Sequence, residues 1–566
     1  MIFPNAEARR SGLSGRAREE RGRGRTGGLL PKAGPFALVA LLCLLLYAPG
    51  LVAIPTLDRD EARFAQATRQ MLETGDFLRI RFQNRARDKK PAGIYWLQAA
   101  AVGLFSTPAS SAIWPYRLPS ALGAAAAALA TLGLGRALFA DDRRAGLFAA
   151  VLMASALDLV AEAHIAKTDA ALLAAAVAGQ GLLGVVYMRA RAGHPVGWPL
   201  SVGFWIAEAA GILLKGPVAP LIALATAASL AIADRDGRWL ARLRPLAGIG
   251  VVALLVLPWL VAIERATDGR FLTQSLGHDL LPKLLGGQQG HGAPPGTYLV
   301  LAPVTFWPGS LLIAPALAWG WRHARAPAER FLLAWLVPAW LVFELVPTKL
   351  PHYVLPLYPA LALLAGRALS QGLADAGIAD RLVRAAWALA TCGLAALLIL
   401  LPVQFGRGIS PAGIIGAAAV MVIAAAALRR RPPVMTAALL AALAVAFVIP
   451  AAAILPGLDR LWLSRAAAAL VARHPPPPGR PVVAIGYSEP SLVFLLGTKT
   501  RLLSVPAAAR ALARGGAALV DMRQEAPLRR ALAARGLSLR AEGRVAGLDY
   551  STGRELVLTL YNVTPG

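Results

Sequence analysis

Apolar segments long enough to cross a bilayer recur through most of the sequence, and they constrain the fold more than any other feature. A transmembrane helix needs about 20 predominantly apolar residues. Such segments are predicted at 36–54, 115–139, 145–161, 169–188, 201–214, 217–233, 246–263, 298–319, 331–347, 353–369, 384–402, 411–428 and 434–455. The composition, 57% hydrophobic and 16% charged, is too apolar for a soluble protein. We therefore predict an all-α polytopic membrane protein with about thirteen transmembrane helices.

The net charge of +27 fits a membrane protein with cationic loops, and no nucleic-acid-binding motif accompanies it. Basic residues recur in loops that would be cytoplasmic, at 141–144, 189–194, 234–244, 322–330 and 429–431. Residues 1–35, rich in Arg and Gly, are predicted to be a disordered cytoplasmic tail, or the product of a start site placed too far upstream. An odd number of spans puts the two chain ends on opposite sides of the membrane.

The sequence stops being membrane-like at about residue 457. We assign 36–456 to the transmembrane domain and 457–566 to a small α/β domain outside the membrane. Its predicted strands are 481–486, 517–521 and 555–561, and its predicted helices are 459–473, 506–514 and 525–535.

The external loop 55–112 follows the first span directly and is predicted to hold the functional centre. Its segments 57–73 and 92–105 are predicted to lie as short helices at the membrane interface. The loop also carries many cations, which runs against the positive-inside rule. A functional need for cations outside the membrane would account for them.

Three acids open this loop. Asp58 and Glu61 have the spacing of a helix-capping pair, which is one interpretation of both residues. Asp60 is not needed by such a cap, and it is a candidate for taking a proton from an acceptor hydroxyl. Asp58-x-Asp60 also resembles a metal-binding D-x-D pair, but two acids alone are weak support for a metal.

Cations near the external face are candidates for binding a phosphate. Arg63, Lys89 and Lys90 could each simply snorkel to lipid headgroups, or together stabilise a phosphate leaving group. Lys215 ends the segment GILLKGP within an apolar run, where a lysine costs about 2.5–3.5 kcal/mol at the membrane centre. Glu208 lies two helical turns earlier on nearly the same stripe.

Three further segments reach the same predicted face. Glu162, His164 and Lys167 lie in a short external connection for which a solvated turn is the simplest interpretation, and Asp169 begins the next apolar helix as an N-terminal cap or as a cavity residue. Prolines break the helix at TKLPHYV, so that Lys349, His352 and Tyr353 could project into a cavity. The Gly-rich loop around His278, Asp279 and His291 is predicted to be a mobile lid.

These segments resemble the lipid-linked-sugar glycosyltransferases of the GT-C class, specifically the bacterial aminoarabinose transferases (ArnT-like) and protein O-mannosyltransferases. The matching pieces are DEARFAQATRQM, KKPAGIYW, AKTDA, LLKGP, GHGAPPGTYL and TKLPHYVLPLYPALALLAG, in the order of the family. The resemblance implies about thirteen spans, an external active site, and inverting transfer from a polyprenyl-phosphate sugar, undecaprenyl phosphate in bacteria, without a nucleotide. It implies a bacterial inner-membrane protein with a periplasmic C-terminal domain.

The resemblance also implies roles for single residues. Asp60, with Glu61 and Asp169 as further candidate catalytic acids, matches the acidic positions of the family. The positions that hold the lipid phosphate correspond to Arg63, Lys90, Lys215 and Tyr353, with Lys349 as a further phosphate candidate. His278, His291 and His352 are the remaining cavity candidates.

Two positions depart from the family. Phe64 replaces a tyrosine, which removes one hydroxyl contact to the phosphate. Lys89 replaces an acid that in the aminoarabinose enzymes helps to hold zinc with a histidine matching His278. We therefore assign no metal ligands and name no certain cofactor, and a divalent metal is possible but not expected to be essential.

The predicted function is sugar transfer from an undecaprenyl-phosphate carrier to a glycolipid, polysaccharide or protein acceptor at the membrane, with lipid A as one glycolipid candidate. A transporter or flippase of lipid-linked sugars is the main alternative, although such proteins often show internal repeats and midplane sites, and the sequence shows no repeat. A non-catalytic envelope-assembly protein is a third.

Overall fold

The computed structural model describes residues 34–88, 90–280, 282, 292–372, 377–428 and 435–565. The tail residues 1–33, Lys89, His291 and the basic loop 429–431 lie outside the described residues. The backbone of His278 and Asp279 is described, but their side chains are not. The described residues from Val39 onward form one compact unit, and every contact discussed below lies within it.

Helices form most of the described chain up to residue 449. In chain order they are α1 Gly34–Ala53, α2 Asp60–Thr74, α3 Gly93–Phe105, α4 Trp114–Leu138, α5 Arg143–Ala154, α6 Leu157–Ala163, α7 Asp169–Arg191, α8 Trp198–Lys215, α9 Val218–Asp234, α10 Pro245–Ala266, α11 Thr297–Thr305, α12 Ile313–Arg322, α13 Pro327–Leu345, α14 Tyr358–Ser370, α15 Ile378–Phe405, α16 Pro411–Leu428 and α17 Met435–Ile449.

Each predicted span coincides with one helix or with a broken pair of helices. Within the described residues, six helices are long and apolar enough to cross a membrane, or seven if α5 and α6, bent by 58°, form one span. The 3₁₀ helix Pro351–Leu357 precedes α14, as the prolines there predict. The helical membrane region is confirmed, while the count of about thirteen spans stays a prediction.

Close helix packing depends on glycine at two contacts between spans. A Cβ at Gly123 of α4 would lie 2.8 Å from the carbonyl oxygen of Ala170 in α7. A Cβ at Gly366 of α14 would lie 2.3 Å from the carbonyl oxygen of Ala145 in α5. Because either distance is too short for a real side chain, glycine is what allows these backbones to approach.

The loop 55–112 contains α2, α3 and a short antiparallel hairpin of β1 Arg81–Phe82 and β2 Arg85–Ala86. The helix α2 begins at Asp60 rather than at a cap on Asp58, and it ends at Gly75, whose φ is 70°. Phe64 and Met71 are buried under it, and Leu57 and Leu72 are partly buried. The predicted helices of this loop are therefore present.

A buried ion pair fixes the start of α2 to the membrane region. The Arg117 guanidinium of α4 donates to both carboxylate oxygens of Glu61, each at 2.8 Å, and both side chains are 0% exposed. The carboxylate also accepts from the backbone N–H groups of Leu57 and Ala166, at 2.8 and 2.9 Å. Four donors to one carboxylate satisfy it fully, so burial of this charge is tolerated.

The C-terminal region is a small α/β sheet domain, as predicted. Its elements are α18 Leu463–Arg473, β3 Val483–Ile485, α19 Pro490–Leu496, β4 Arg501–Leu502, α20 Val505–Ala511, β5 Gly516–Asp521, α21 Met522–Ala533, β6 Leu537–Asp549 and β7 Arg554–Pro565. The strand order is β4-β3-β5-β7-β6, with β3 parallel to both β4 and β5. The strands β4 and β6 and the helix α19 were not predicted. A boundary at residues 456 and 457 stays a prediction.

Hydrogen bonds from α2 hold this domain over the loop. The Gln66 amide donates to Thr498 Oγ1 at 2.7 Å, and the Gln83 amide of the hairpin turn donates to the Thr498 carbonyl at 3.2 Å. The Arg69 guanidinium lies 4.4 Å from the centre of the Phe494 ring. The loop therefore contacts the membrane helices on one side and the sheet domain on the other.

The carboxyl group of Asp58 also lies in the contact between the loop 55–112 and the sheet domain. Asp58 accepts a hydrogen bond from the Ser491 hydroxyl, and its backbone N–H donates to the Tyr550 hydroxyl at 2.6 Å. Burial raises the pKa of Asp58 to about 7, aided by the negative charges of Glu489 and Asp549, although the Ser491 hydrogen bond opposes the shift.

We expect Glu61→Gln to destabilise the protein by about 3–5 kcal/mol, because it leaves the Arg117 charge buried without a counter-charge. Thermal unfolding of the detergent-solubilised protein measures the loss. Asp60→Asn is the control, since the Asp60 side chain is 64% exposed one position away. Equal melting temperatures for Glu61→Gln and Asp60→Asn would contradict the structural role of Glu61.

We expect contact between α2 and the sheet domain to weaken as pH rises from 5 to 8. The pKa of Asp58 is raised from its ordinary value of 3.8 in the docked state, so stability present at low pH is lost as pH rises through about 7. One proton gives a slope of at most about 1.4 kcal/mol per pH unit. Hydrogen exchange of residues 491–500, corrected for intrinsic rates, measures it. Asp58→Asn should reduce the slope, and an unchanged slope would refute the assignment of this pH dependence to Asp58.

Candidate active site

A cavity of about 1930 Å³ lies between the loop 55–112, the start of α7, the end of α8, the 3₁₀ helix before α14, and the sheet domain. Most of its charged lining residues are cations. The charged or ionisable lining residues are Arg59, Asp60, Arg63, Arg85, Arg87, Lys90, Lys167, Asp169, Lys215, His352, Glu489, Lys499, Arg501 and Arg510. Such a surface suits a ligand that carries negative charge.

The carboxylate of Asp169, the first residue of α7, is the centre of a buried ion-pair network. Lys215, the last residue of α8, pairs directly with Asp169 Oδ1. Lys167 Nζ lies 3.7 Å from Oδ2, and His352 Nε2 lies 3.7 Å from Oδ1. Because two lysine ammonium groups pair with it, this carboxylate is neutralised in place and is poorly suited to accept a further proton.

A second buried carboxylate extends the network. Glu162 Oε1 of α6 lies 2.8 Å from Lys167 Nζ and 3.4 Å from His352 Nδ1. Burial opposes the charge on Lys167, but the carboxylates of Glu162 and Asp169 more than offset it and hold the pKa of Lys167 above its ordinary value. Lys167 is therefore a fixed cation at the cavity surface.

Tyr353 and Lys215 meet at the membrane side of the cavity. Lys215 Nζ lies 4.9 Å from the centre of the Tyr353 ring, a cation–π distance. Both residues line the cavity. The structure therefore brings the end of α8 and the 3₁₀ helix before α14 together at the cavity, although they are more than a hundred residues apart in the sequence.

Asp60 lies at the cavity on the first turn of α2 and is far more accessible than Asp169. Its Oδ1 is 3.9 Å from Arg63 Nη1, and the side chains are 64% and 47% exposed. An exposed carboxylate in a cation-lined cavity can take a proton from a substrate hydroxyl, whereas the charge of Asp169 is already engaged by its lysine partners.

Arg87 is a cavity cation that the sequence did not single out. Its guanidinium lies 4.6 Å from the centre of the Phe64 ring, and Phe64 stacks on Tyr95 at 5.2 Å. The phenyl ring that replaces the family's tyrosine therefore supports an arginine at the cavity. Lys90 lines the same region.

Two predicted site residues take other roles. Glu61 does not line the cavity, because the four donors described above occupy its carboxylate; we therefore reassign it from catalysis to structure. Lys349 Nζ donates to the carbonyl oxygens of Ala293 and Val346, at 3.1 and 2.6 Å, and is 6% exposed. It holds the backbone beside the cavity rather than facing a phosphate.

The sequence did not select Glu162 and Lys167, for which a solvated turn was the simplest interpretation. Both are buried, at 3% and 9% exposure. The available signal was the density of four ionisable residues between two apolar helices, since unpaired charges are costly at such a position.

No group of three or more His, Cys, Asp or Glu side chains within the described ranges is placed to hold a metal ion. The side chain of His278 and all of Lys89 lie outside those ranges. The prediction that a metal is not essential therefore stays untested.

Known proteins share both sequence and fold with this chain. A family model described as dolichyl-phosphate-mannose-protein mannosyltransferase matches residues 89–261. An undecaprenyl phosphate-alpha-4-amino-4-deoxy-L-arabinose arabinosyl transferase of Pseudomonas paraeruginosa is 30% identical over 348 residues, 59% of this chain and 60% of the relative. A protein of the same name from Pectobacterium carotovorum is 28% identical over 353 residues, 61% of each chain. The chain thus spans about three fifths of the length of these relatives.

Solved structures extend the likeness over almost the whole chain. The crystal structure of ArnT from Cupriavidus metallidurans bound to undecaprenyl phosphate superposes with a TM-score of 0.70 at 20% identity, covering 94% of this chain and 98% of that one. The apo state of the same protein gives 0.69, covering 93% and 97%. The predicted resemblance to the GT-C glycosyltransferases is therefore confirmed, and the chain has the ArnT fold with a sequence similar to the aminoarabinose transferases.

Proposed function

We propose that the chain is an integral membrane glycosyltransferase that moves a sugar from an undecaprenyl-phosphate carrier to an acceptor at the periplasmic face of the bacterial inner membrane. The acceptor is a glycolipid such as lipid A, a polysaccharide or a protein. The N-terminus lies in the cytoplasm and the sheet domain in the periplasm. The sequence relatives, named for such a transfer, support this assignment for about three fifths of their length.

The observation that carries the proposal is the convergence of cations at one end of the membrane helices. Lys215 and Lys167 are fixed by Asp169, while Arg63 and Lys90 approach from the loop. A lipid phosphate at the bilayer surface would meet these charges at the mouth of the cavity. The same charges would stabilise the phosphate as its bond to the sugar breaks, which favours departure of the carrier.

The reaction is a single displacement with inversion. The acceptor oxygen attacks the anomeric carbon, and the bond from that carbon to the carrier phosphate breaks. Asp60 accepts the proton of the acceptor hydroxyl, and the electron pair leaves with the undecaprenyl phosphate. The accessible Asp60 is suited to this step, whereas the ion-paired Asp169 positions the cations.

A flippase for lipid-linked sugars would need its charges accessible from both membrane faces in turn. The cation network instead lies at the helix ends, beneath a sheet domain that supplies part of the cavity wall. This one-sided placement favours transfer over transport.

We expect Asp60→Asn to reduce sugar transfer by about a hundredfold or more, because general-base catalysis contributes about 10²–10⁴ to the rate. The purified protein in lipid nanodiscs should keep its affinity for undecaprenyl phosphate. In cells, mass spectrometry of envelope lipids and glycans from a deletion strain complemented with each variant identifies the sugar lost. Full restoration of that sugar by Asp60→Asn, with carrier accumulating on the inner leaflet in the deletion strain, would indicate a flippase.

We expect Lys215→Ala to weaken undecaprenyl phosphate binding by about tenfold to a hundredfold, the range for a lost charged hydrogen bond of about 1.5–3 kcal/mol. Binding to nanodisc-embedded protein is the measurement. Arg407→Ala is the matched control, because Arg407 is 89% exposed in a surface ion pair outside the cavity lining. Unchanged binding in a folded Lys215→Ala protein would remove Lys215 from the phosphate site.

A further inference from the structure

The sheet domain meets the cavity at the edge where a parallel sheet commonly binds ligands. The chain leaves β3, runs through α19 to β4 on one side, and then crosses through α20 to β5 on the other side. In open α/β sheets, such a reversal leaves a crevice outside the carboxyl ends of the strands. Ser488 and Glu489, in the loop directly after β3, line the cavity.

Glu489 is buried in this loop without a full set of partners. It is 8% exposed, and its Oε2 has no hydrogen-bond partner among the described residues. Ser551 Oγ lies beside it and lowers the pKa of Glu489 as a hydrogen-bond donor would, but the contact lacks regular hydrogen-bond geometry, so neither atom has a regular partner in the described part of the chain. A buried carboxylate that lacks donors costs free energy, so a donor arriving from the cavity would be favoured.

The charges around Glu489 determine which ligand group would fit. Asp549, Arg59 and Arg63 are all close enough to act on it electrostatically. Burial and the charge of Asp549 raise the pKa of Glu489, which shows that its anionic form needs further stabilisation. The acids disfavour a phosphate here and favour a hydrogen-bond donor, such as a hydroxyl or an ammonium group.

Arg63 connects this crevice to the transfer site. It pairs with Asp60, the proposed base, and also lies near Glu489. The hydroxyl side chains of Ser488, Ser551 and Thr552 line the same part of the cavity. A carboxylate, hydroxyls and an arginine beside the reacting centre are the groups that bind the polar edge of a sugar ring.

We infer that Glu489 is the centre of a sugar-recognition subsite supplied by the sheet domain, where it accepts a hydrogen bond from a ring hydroxyl or amino group of a substrate sugar. The inference rests on the proposed glycosyl transfer and adds to it a specificity-determining residue outside the membrane region. The ring belongs to the sugar of the carrier lipid or to a sugar-containing acceptor. Either one would offer a hydroxyl or amino group as the hydrogen-bond donor.

Binding of two carriers to nanodisc-embedded protein tests the inference. The probes are undecaprenyl phosphate alone and undecaprenyl phosphate linked to 4-amino-4-deoxy-L-arabinose, the sugar named for the relatives. We expect Glu489→Ala to weaken binding of the sugar-linked carrier about tenfold and to leave the bare carrier unchanged, as expected for one lost hydrogen bond to a charged group. Glu555→Gln, at an exposed surface ion pair, is the matched control.

A second arm measures the KM for lipid A in wild-type protein and in Glu489→Ala. A tenfold rise in this KM with unchanged donor binding would place the acceptor sugar at Glu489. Glu489→Gln distinguishes a sugar hydroxyl from a sugar amino group as the hydrogen-bond donor. An amide oxygen still accepts a hydrogen bond from a hydroxyl, but it cannot neutralise an ammonium group. It also serves if Glu489→Ala does not fold.

Equal weakening of both carriers, or no change in either carrier or in the KM for lipid A, would overturn the inference. Failure of the proposed function is distinguishable from these results. In that case deletion of the protein would remove no sugar from the envelope lipids and glycans, whereas the binding arm needs no turnover.

Discussion

A carboxylate buried at the end of a membrane helix must be neutralised by cations close to it, and Asp169 imposes this requirement on the whole site. Its partners come from the preceding connection, from the end of α8 and from the 3₁₀ helix before α14. Each partner would be costly alone in such surroundings. The two lysine ammonium groups neutralise the carboxylate, and together with His352 they tie three segments of the chain to one site.

The sequence predicted the helical elements and the segments that meet at the site because both follow from local patterns. The length of an apolar segment identifies a span, and the short motifs that resemble the glycosyltransferases identify the candidate site residues. Pairing between charges does not follow from local patterns. Glu61 meets Arg117 from 56 positions away, and Asp58 meets Ser491 from 433 positions away. Caps on α2 were a reasonable expectation for both acids. Long-range contacts replace the cap at Asp58, whereas Glu61 keeps one local hydrogen bond, from the Leu57 backbone N–H, beside its long-range partners.

In the sheet domain, too, some strands could not be predicted from local sequence patterns. The three predicted strands are apolar and lie inside the sheet. The strand β6 is an edge strand that pairs only with β7, so much of its length is exposed and its sequence LSLRAEGRVAGLD has no clear apolar period. The strand β4 has two residues and leaves too short a pattern to detect. Edge strands are thus the elements that periodicity misses.

The cavity draws its walls from residues as far apart as Arg59 and Thr552. During synthesis, the membrane helices and their cations are in place long before the β6–β7 hairpin emerges. Until that hairpin pairs with β5, the wall that contains Ser551 and Thr552 does not exist. The order of biogenesis therefore delays assembly of the complete cavity until nearly the whole chain has been made, so that a partly inserted chain has an unfinished cavity.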